Sequence, residues 1–390
     1  MYSAAGGRER PLPRLSSDPR CRDRRRARRK INDTGAGYSY DSRRRTRRTE
    51  VETLRASSPE PGPQANTLAA TFEVVRPRLE LVEQFIARQL DAGPQPVPEA
   101  GAYVLEAGGK RLRPAILLAI SRLLGYRGGD LDIRYGAIVE MIHTASLVHD
   151  DIIDSATVRR GRTTANHRWG NQLTVLLGDW LYLRAIDLAL EIADIPAMQT
   201  LSFATTQMIE GEILGLTLQR ASSLTREQYL EITRRKTAEL FAAACSLPTH
   251  FAPAFAPHRR ALDEYGRNLG MCFQIVDDIL DIVGSQQRLG KPVFSDLREG
   301  KLTLPFILAR PHFSETERGM VERIVVQGDF GDATPEGLRA LLERHNAVDE
   351  ARKVAGEFAR LAVAALATLP PGPETAALAA APRFVLERQS

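Results

Sequence analysis

Six aspartates in two groups are the residues of this chain best placed to do chemistry. Leu147-Val148-His149-Asp150-Asp151-Ile152-Ile153-Asp154 and Val276-Asp277-Asp278-Ile279-Leu280-Asp281 share the spacing DDxxD. On a helix, positions i and i+4 lie one above the other, so Asp150 and Asp154 project from one face, as do Asp277 and Asp281. Carboxylates stacked in this way raise one another's pKa unless a cation sits between them. Mg²⁺ meets that need, because it is held by one or two carboxylates together with phosphate oxygens and keeps several waters. One DDxxD alone is as readily a solvated acidic helix end. Two copies, each embedded in apolar helix, favour a site that holds several ions around one diphosphate.

Basic residues of the right kind accompany them. Gly108-Gly109-Lys110-Arg111-Leu112-Arg113-Pro114 puts three cations beside a glycine pair, ahead of a helix started by Pro114. Val158-Arg159-Arg160-Gly161 follows Asp154 and offers two planar guanidiniums suited to bidentate phosphate contact. His143 lies two helical turns before Asp150 on nearly the same face. The chain has 47 Arg and only six Lys, five of them after residue 50. Four of those five fall in suggestive places: Lys110 in the glycine motif, Lys236 before Thr237, Lys291 after Gly290 and Lys301 after Gly300. Lysines that persist against an arginine-rich background mark positions where a compact point charge is needed.

These residues must be carried by helices. From about Thr67 onward apolar residues recur at three and four positions, as in Phe72, Val75, Leu79, Val82 and Ile86, and strand-like alternation is nearly absent. The chain reads as all-α. Helices are expected over 68–91, 97–107, 112–124, 129–154, 171–194, 196–220, 225–247, 257–284 and 301–310, with shorter ones to the C-terminus and joints marked by Pro and Gly. No repeat of solenoid length is visible.

Charge divides the 390 residues unevenly. Residues 1–50 hold fifteen Arg and Lys30 against six acidic side chains, a net +10, so the remainder is near −5 against a total of +5. Residues 1–66 are too polar and Arg-rich to offset chain entropy and are expected to be a disordered tail, with 67–390 as one catalytic domain. The six acidic residues count against an organelle transit peptide. A nucleic-acid role would account only for that tail, so no nucleic-acid partner is expected. Cys21, Cys245 and Cys272 lack CxxC spacing, which argues against a disulfide framework or zinc site and fits a reducing cytoplasm. No run approaches the roughly 18 apolar residues of a membrane span.

GGKRLRP, HDDIIDSATVRRG, FQIVDDILD and LGK followed by EGK are together specific enough to name a resemblance. The chain resembles the trans-isoprenyl diphosphate synthases, or polyprenyl synthetases, from about residue 70 to the C-terminus, and most closely their long-chain branch. The resemblance implies the isoprenoid synthase fold, a helical bundle around a central cavity. It implies that Asp150, Asp154 and Asp277 ligate Mg²⁺, with Asp151, Asp278 and Asp281 in support. Lys110, Arg113, His143 and Arg160 correspond to the isopentenyl diphosphate site, and Arg159, Lys236, Thr237, Gln274, Lys291 and Lys301 to the allylic diphosphate site. The spacing from Lys291 to Lys301 is one residue longer than in some relatives. A homodimer is implied, with the catalytic subunit of a heteromeric synthase as the alternative.

The implied chemistry is ionisation of the allylic diphosphate, attack on the carbocation by isopentenyl diphosphate, and loss of a proton, with Asp150, Asp154, Lys236, Asp277 and Lys291 central to it. A carbocation is quenched by water, so the loop from Gly290 to Lys301 is expected to act as a lid. Ala145 and Ser146, just before the first cluster, are small where short-chain relatives often place an aromatic ring. A long polyprenyl product, about octaprenyl, is therefore expected, with geranylgeranyl diphosphate as the alternative. A terpene cyclase or a head-to-head synthase would not need the second diphosphate site built from Lys110, Arg113 and Arg160.

Overall fold

The computed structural model describes residues 63–107, 109, 111–284 and 292–388. The expected disordered tail lies outside these except for its last four residues, and Gly108, Lys110, Gly290 and Lys291 lie outside them as well. Helices α1 (Pro63–Asp91), α2 (Val97–Glu106), α3 (Leu112–Leu123) and α4 (Leu131–Ile153) open the fold. A short hairpin of β1 (Val158–Arg159) and β2 (Arg162–Thr163) leads to α5 (Ala165–Trp169), α6 (Asn171–Ile192) and α7 (Ile195–Thr217). Next come α8 (Arg226–Thr233), α9 (Glu239–Ser246), α10 (Pro248–Phe251) and the long α11 (Arg259–Val283). Helices α12 (Ser295–Arg298), α13 (Leu304–Ala309), α14 (Glu315–Gln327), α15 (Pro335–Arg344), α16 (Ala347–Ala365) and α17 (Pro373–Leu386) complete it. The isoprenoid synthase fold read from the sequence is the fold observed.

Two buried apolar clusters organise these helices. One joins α1, α2, α3, α4, α6 and α7 through residues such as Val82, Leu117, Ile138, Met141, Leu181 and Leu201. The other joins α11 to α12 through α17, through Tyr265, Leu269, Ile275, Phe294, Phe306 and Leu342. Their apolar area removed from water is the main favourable term holding the bundle together. Helix α4 packs along α6, and α11 packs along α9 and α16. The first aspartate cluster is thus rooted in one core and the second in the other.

Three local features depart from the sequence reading. The segment expected as one helix over 225–247 is broken by a π turn, Arg234–Ala238. Its start is as the sequence signals, a capping box of Thr225 and Gln228. The break has a tertiary cause: α7 passes so close that a Cβ on Gly211 would lie 2.5 Å from the backbone nitrogen of Lys236. Buried Glu239 also pairs with Arg234 and, at 3.0 Å, with Arg267, which fixes the turn from its far side. Second, α3 starts at Leu112, the first residue of the expected 112–124, but it is entered from Arg111 in a left-handed conformation at φ 45° that the sequence did not signal. Third, the β1–β2 hairpin was not foreseen. Its two-residue turn has Arg160 at φ 52° and Gly161 at φ 75°, the double left-handed geometry that suits the twist of a tight hairpin.

Candidate active site

Both aspartate clusters occupy the last turns of their helices, α4 and α11. The C-terminal end of a helix carries the negative pole of the backbone dipoles, so carboxylates there are doubly unfavourable without cations. The first cluster meets cations delivered by other elements. Lys236, presented by the π turn, lies 3.6 Å from Asp150 Oδ2 and forms an ion pair with Glu212 of α7. Lys301 Nζ donates to Asp154 Oδ1 at 2.7 Å and lies 2.8 Å from Glu299. Arg159 of β1 donates through Nε to Asp151 at 2.6 Å.

Burial raises the Asp150 carboxyl above its ordinary range, and Glu212 and Asp154 add to this while Lys236 opposes it. Burial likewise raises Asp151 against the pull of Arg159. Burial works against a charge on Lys236, but Asp150 and Glu212 outweigh it and hold the ammonium above the ordinary lysine value. Glu299 and Asp154 do the same for Lys301. The arrangement is a set of half-buried carboxylates and ammoniums already desolvated and facing one another.

The second cluster is held by neutral donors. Tyr229 of α8 donates its hydroxyl proton to Asp278 Oδ2 at 2.6 Å, and Gln274 donates to Oδ1 at 2.8 Å. Thr237, next to Lys236, donates to the Gln274 carbonyl oxygen at 2.9 Å, which ties the π turn to α11. Asp281 accepts from the Ser295 hydroxyl at 2.7 Å. Asp277 is half exposed, with Arg388 at 3.7 Å. Burial, reinforced by Asp277 and Asp281, pushes the Asp278 carboxyl up to about 7 despite its two donors.

A group whose folded pKa is raised contributes stability that is fully present below its unfolded value, near 4, and is lost as pH rises through the folded value. Without divalent cation, wild-type protein should therefore lose stability relative to Asp278→Asn as pH rises from about 4 to 8. Parallel thermal melts in chelator across that range check it, and parallel curves would mean that folding does not raise the Asp278 pKa. Divalent cation should restore the wild type most at the alkaline end, since binding needs the proton gone.

A third group of residues forms a cationic bowl between α3, α4 and the hairpin. Half-buried His143 is held well below the usual imidazole pKa, first by burial and then by Arg113, Arg160, Arg159 and Arg111, so it stands neutral among four guanidiniums. Arg113 stacks over the Phe241 ring at 4.3 Å, and its buried Nε has no hydrogen-bond partner among the described residues. Burial lowers it to about 10, against the pull of Glu140. An unpartnered buried donor on a stacked guanidinium is a place for an anion. A Cβ on Gly109 would lie 3.0 Å from Arg160 Nη1 and 3.3 Å from Arg111 Nη1, so a side chain there would press on both guanidiniums. Arg111 itself faces inward, bonded to Glu140 at 2.8 Å and to the Leu105 carbonyl at 2.7 Å. Its role is to hold α3 in place.

Sequence reasoning missed Glu212, Tyr229 and Ser295. A carboxylate inside the apolar run of α7 was a readable signal for Glu212, whereas nothing local marks the other two. Ala145 is buried beside Ile138, Met141 and Ile142, and Ser146 donates back to the His143 carbonyl at 2.8 Å. Lys353 pairs with Glu350 on the surface.

Comparison with known proteins gives this geometry a family. The polyprenyl synthetase profile matches residues 94–335. Octaprenyl diphosphate synthase of Haemophilus influenzae is 37% identical over 294 residues, covering 75% of this chain and 89% of that protein. The octaprenyl diphosphate synthase of Escherichia coli is 36% identical over 310 residues, with 79% and 94% covered. The crystal structure of a polyprenyl synthase from Caulobacter crescentus, complexed with calcium and isoprenyl diphosphate, superposes with a TM-score of 0.79 at 34% identity, covering 83% of this chain and 98% of that one. With its paired aspartate clusters and basic residues carried on the same helical frame, the chain belongs to the polyprenyl synthetase family and is a prenyltransferase of isoprenoid biosynthesis.

Proposed function

We propose that the protein is a Mg²⁺-dependent all-trans polyprenyl diphosphate synthase that adds isopentenyl diphosphate head-to-tail to an allylic diphosphate and ends at a long product of about octaprenyl length. The observation that carries this is the division of charge: carboxylates at the ends of α4 and α11, ammoniums from the π turn and from Lys301 against the first of them, and a separate guanidinium bowl. The two relatives named octaprenyl diphosphate synthase support the product class.

The donor set fits Mg²⁺. It is all oxygen, with the carboxylates of Asp150, Asp154 and Asp277 at the ends of α4 and α11. That suits an ion which takes one or two carboxylates and completes its octahedron with water and phosphate. Asp150, Asp154 and Asp277 would hold it, and when bound it supplies charge neutralisation to the departing diphosphate. Lys236 and Lys301 can exchange their carboxylate partners for diphosphate oxygens, with Arg159, Thr237 and Gln274 beside them. Both ammoniums are already out of bulk water, so little reorganisation is needed as charge builds on the leaving group.

Arg113 and Arg160 hold isopentenyl diphosphate on the other side, and the lowered pKa of His143 makes it a neutral hydrogen-bonding group there. The double bond attacks the allylic cation, and the released diphosphate, still in the site, takes the proton. The growing tail runs along α4 past Ser146 and Ala145. Lys110 and Lys291 join the two diphosphate sites in this reading.

Assembly as a homodimer is part of the same reading. Leu176, Leu183 and Leu190 are each more than half exposed and recur every seven residues along α6, with Phe203, Ile209 and Ile213 exposed on α7. An apolar stripe of that length is a surface for a partner. A cytoplasmic site of action belongs to the same proposal; among the described residues no helix is long and apolar enough to cross a membrane. Incubation with Mg²⁺, farnesyl diphosphate and labelled isopentenyl diphosphate should give a ladder of prenols ending near eight units, with none in chelator. No incorporation by the protein alone, restored by a partner subunit, would turn the homodimer into a heteromer.

A further inference from the structure

We infer that Tyr103, Arg162, Arg168 and Trp169 form a clamp outside the active site that sets the position of the β1–β2 hairpin, and through it the diphosphate-binding guanidiniums of Arg159 and Arg160. The inference rests on the reading of those two arginines given above. The clamp residues are positioning residues, since they touch one another, the hairpin and the flanking Glu99 and Glu106 of α2 rather than the aspartate clusters.

A hairpin this short cannot hold itself. Each strand has two residues, and isolated two-stranded hairpins are marginal even when longer. Its turn places an arginine in the left-handed region at φ 52°, a conformation that side chains other than glycine seldom adopt. Arg159 and Arg162 stand directly opposite each other across the ladder, and like charges in that relation destabilise a sheet. Something beyond the ladder must hold the strands and separate the charges.

The structure shows what does. Arg159 turns toward Asp151 at 2.6 Å. Arg162 turns the other way and lies 4.6 Å over the Tyr103 ring of α2, with Glu106 at 3.9 Å. Tyr103 also donates its hydroxyl proton to the Thr163 carbonyl at 2.7 Å, pinning β2. Arg168 of α5 lies 4.7 Å over the Tyr103 ring and 4.5 Å over Trp169, and those two rings meet edge to face at 5.0 Å. Two guanidiniums and two rings thus bind α2, β2 and α5 into one unit by cation–π and aromatic contacts. Arg160, at the tip, inherits its place beside Gly109 from that unit.

Steady-state kinetics of the full chain with farnesyl diphosphate and isopentenyl diphosphate tests this. Tyr103→Leu should raise KM for isopentenyl diphosphate about tenfold while kcat at saturation changes much less, as expected when a binding group is displaced rather than a reacting one removed. Tyr103→Phe keeps the ring and loses only the Thr163 bond, so it should stay within about twofold of wild type. Arg168→Ala removes a half-exposed member and should show the same split if Tyr103→Leu fails to fold. Arg160→Ala is the control for the underlying reading. In an Arg160→Ala background Tyr103→Leu should add little for isopentenyl diphosphate, because the group it positions is gone.

Unchanged KM in Tyr103→Leu, or Tyr103→Phe as impaired as Tyr103→Leu, overturns the clamp while leaving the site intact. Unchanged KM for isopentenyl diphosphate in Arg160→Ala overturns the site reading itself.

Discussion

Lys236→Met should lower kcat by on the order of 10²- to 10³-fold with farnesyl diphosphate, leaving the melting temperature close to wild type. The ammonium sits 3.6 Å from Asp150 and is ion-paired with Glu212, so methionine removes a desolvated charge aimed at the place where the leaving group becomes more negative. The variant leaves Asp150 and Glu212 without this counter-ion, so its melting temperature is compared with Mg²⁺ present to neutralise them. Lys236→Arg should restore only part of the loss. A guanidinium is longer and planar, and the π turn fixes the backbone against Gly211, so the head group overshoots the position of the ammonium. Rapid-quench measurement of the first condensation separates this chemistry from product release. Near-normal turnover in Lys236→Met would remove the residue from the site.

The second large effect concerns the product. Ala145→Phe should replace the long-chain ladder by a short product, with KM for isopentenyl diphosphate little changed. Ala145 is 3% exposed and packs with Ile138, Met141 and Ile142 on the side of α4 that leads away from Asp150. A phenyl ring there fills space that the tail needs after its first additions. Overpacking of this kind costs roughly 1–3 kcal/mol, so the variant should remain folded. Chromatography of the dephosphorylated prenols decides the matter, and an unchanged distribution would mean that the tail takes another route.

The helices that carry chemistry were legible because each combines a 3.6-residue apolar rhythm with a charged cluster at one end. Asp150, Asp154, Asp277 and Asp281 fall where i, i+4 spacing puts them, and α4 and α11 end within a residue or so of the expected limits. What stayed hidden was set by contacts between distant segments. The π turn depends on how closely α7 approaches, a property of Gly211 in space rather than of the run from Arg234 to Ala238. The hairpin has strands too short for alternation to show. Tyr229 and Ser295 become supports of the second cluster only because α8 and α12 fold back onto α11.

That rooting of the two clusters in different cores bears on how such enzymes diversify. In the proposed reading the wall of the tail path belongs to the apolar cluster around α4, α6 and α7, whereas the second aspartate cluster stands on the cluster around α11 and α16. Substitutions that repack the first core can lengthen or shorten the product without shifting the side chains beneath Asp277, Asp278 and Asp281. Because Asp150 and Asp154 stand on that same first core, a change of tail path reaches half of the carboxylates and leaves the other half on an undisturbed footing.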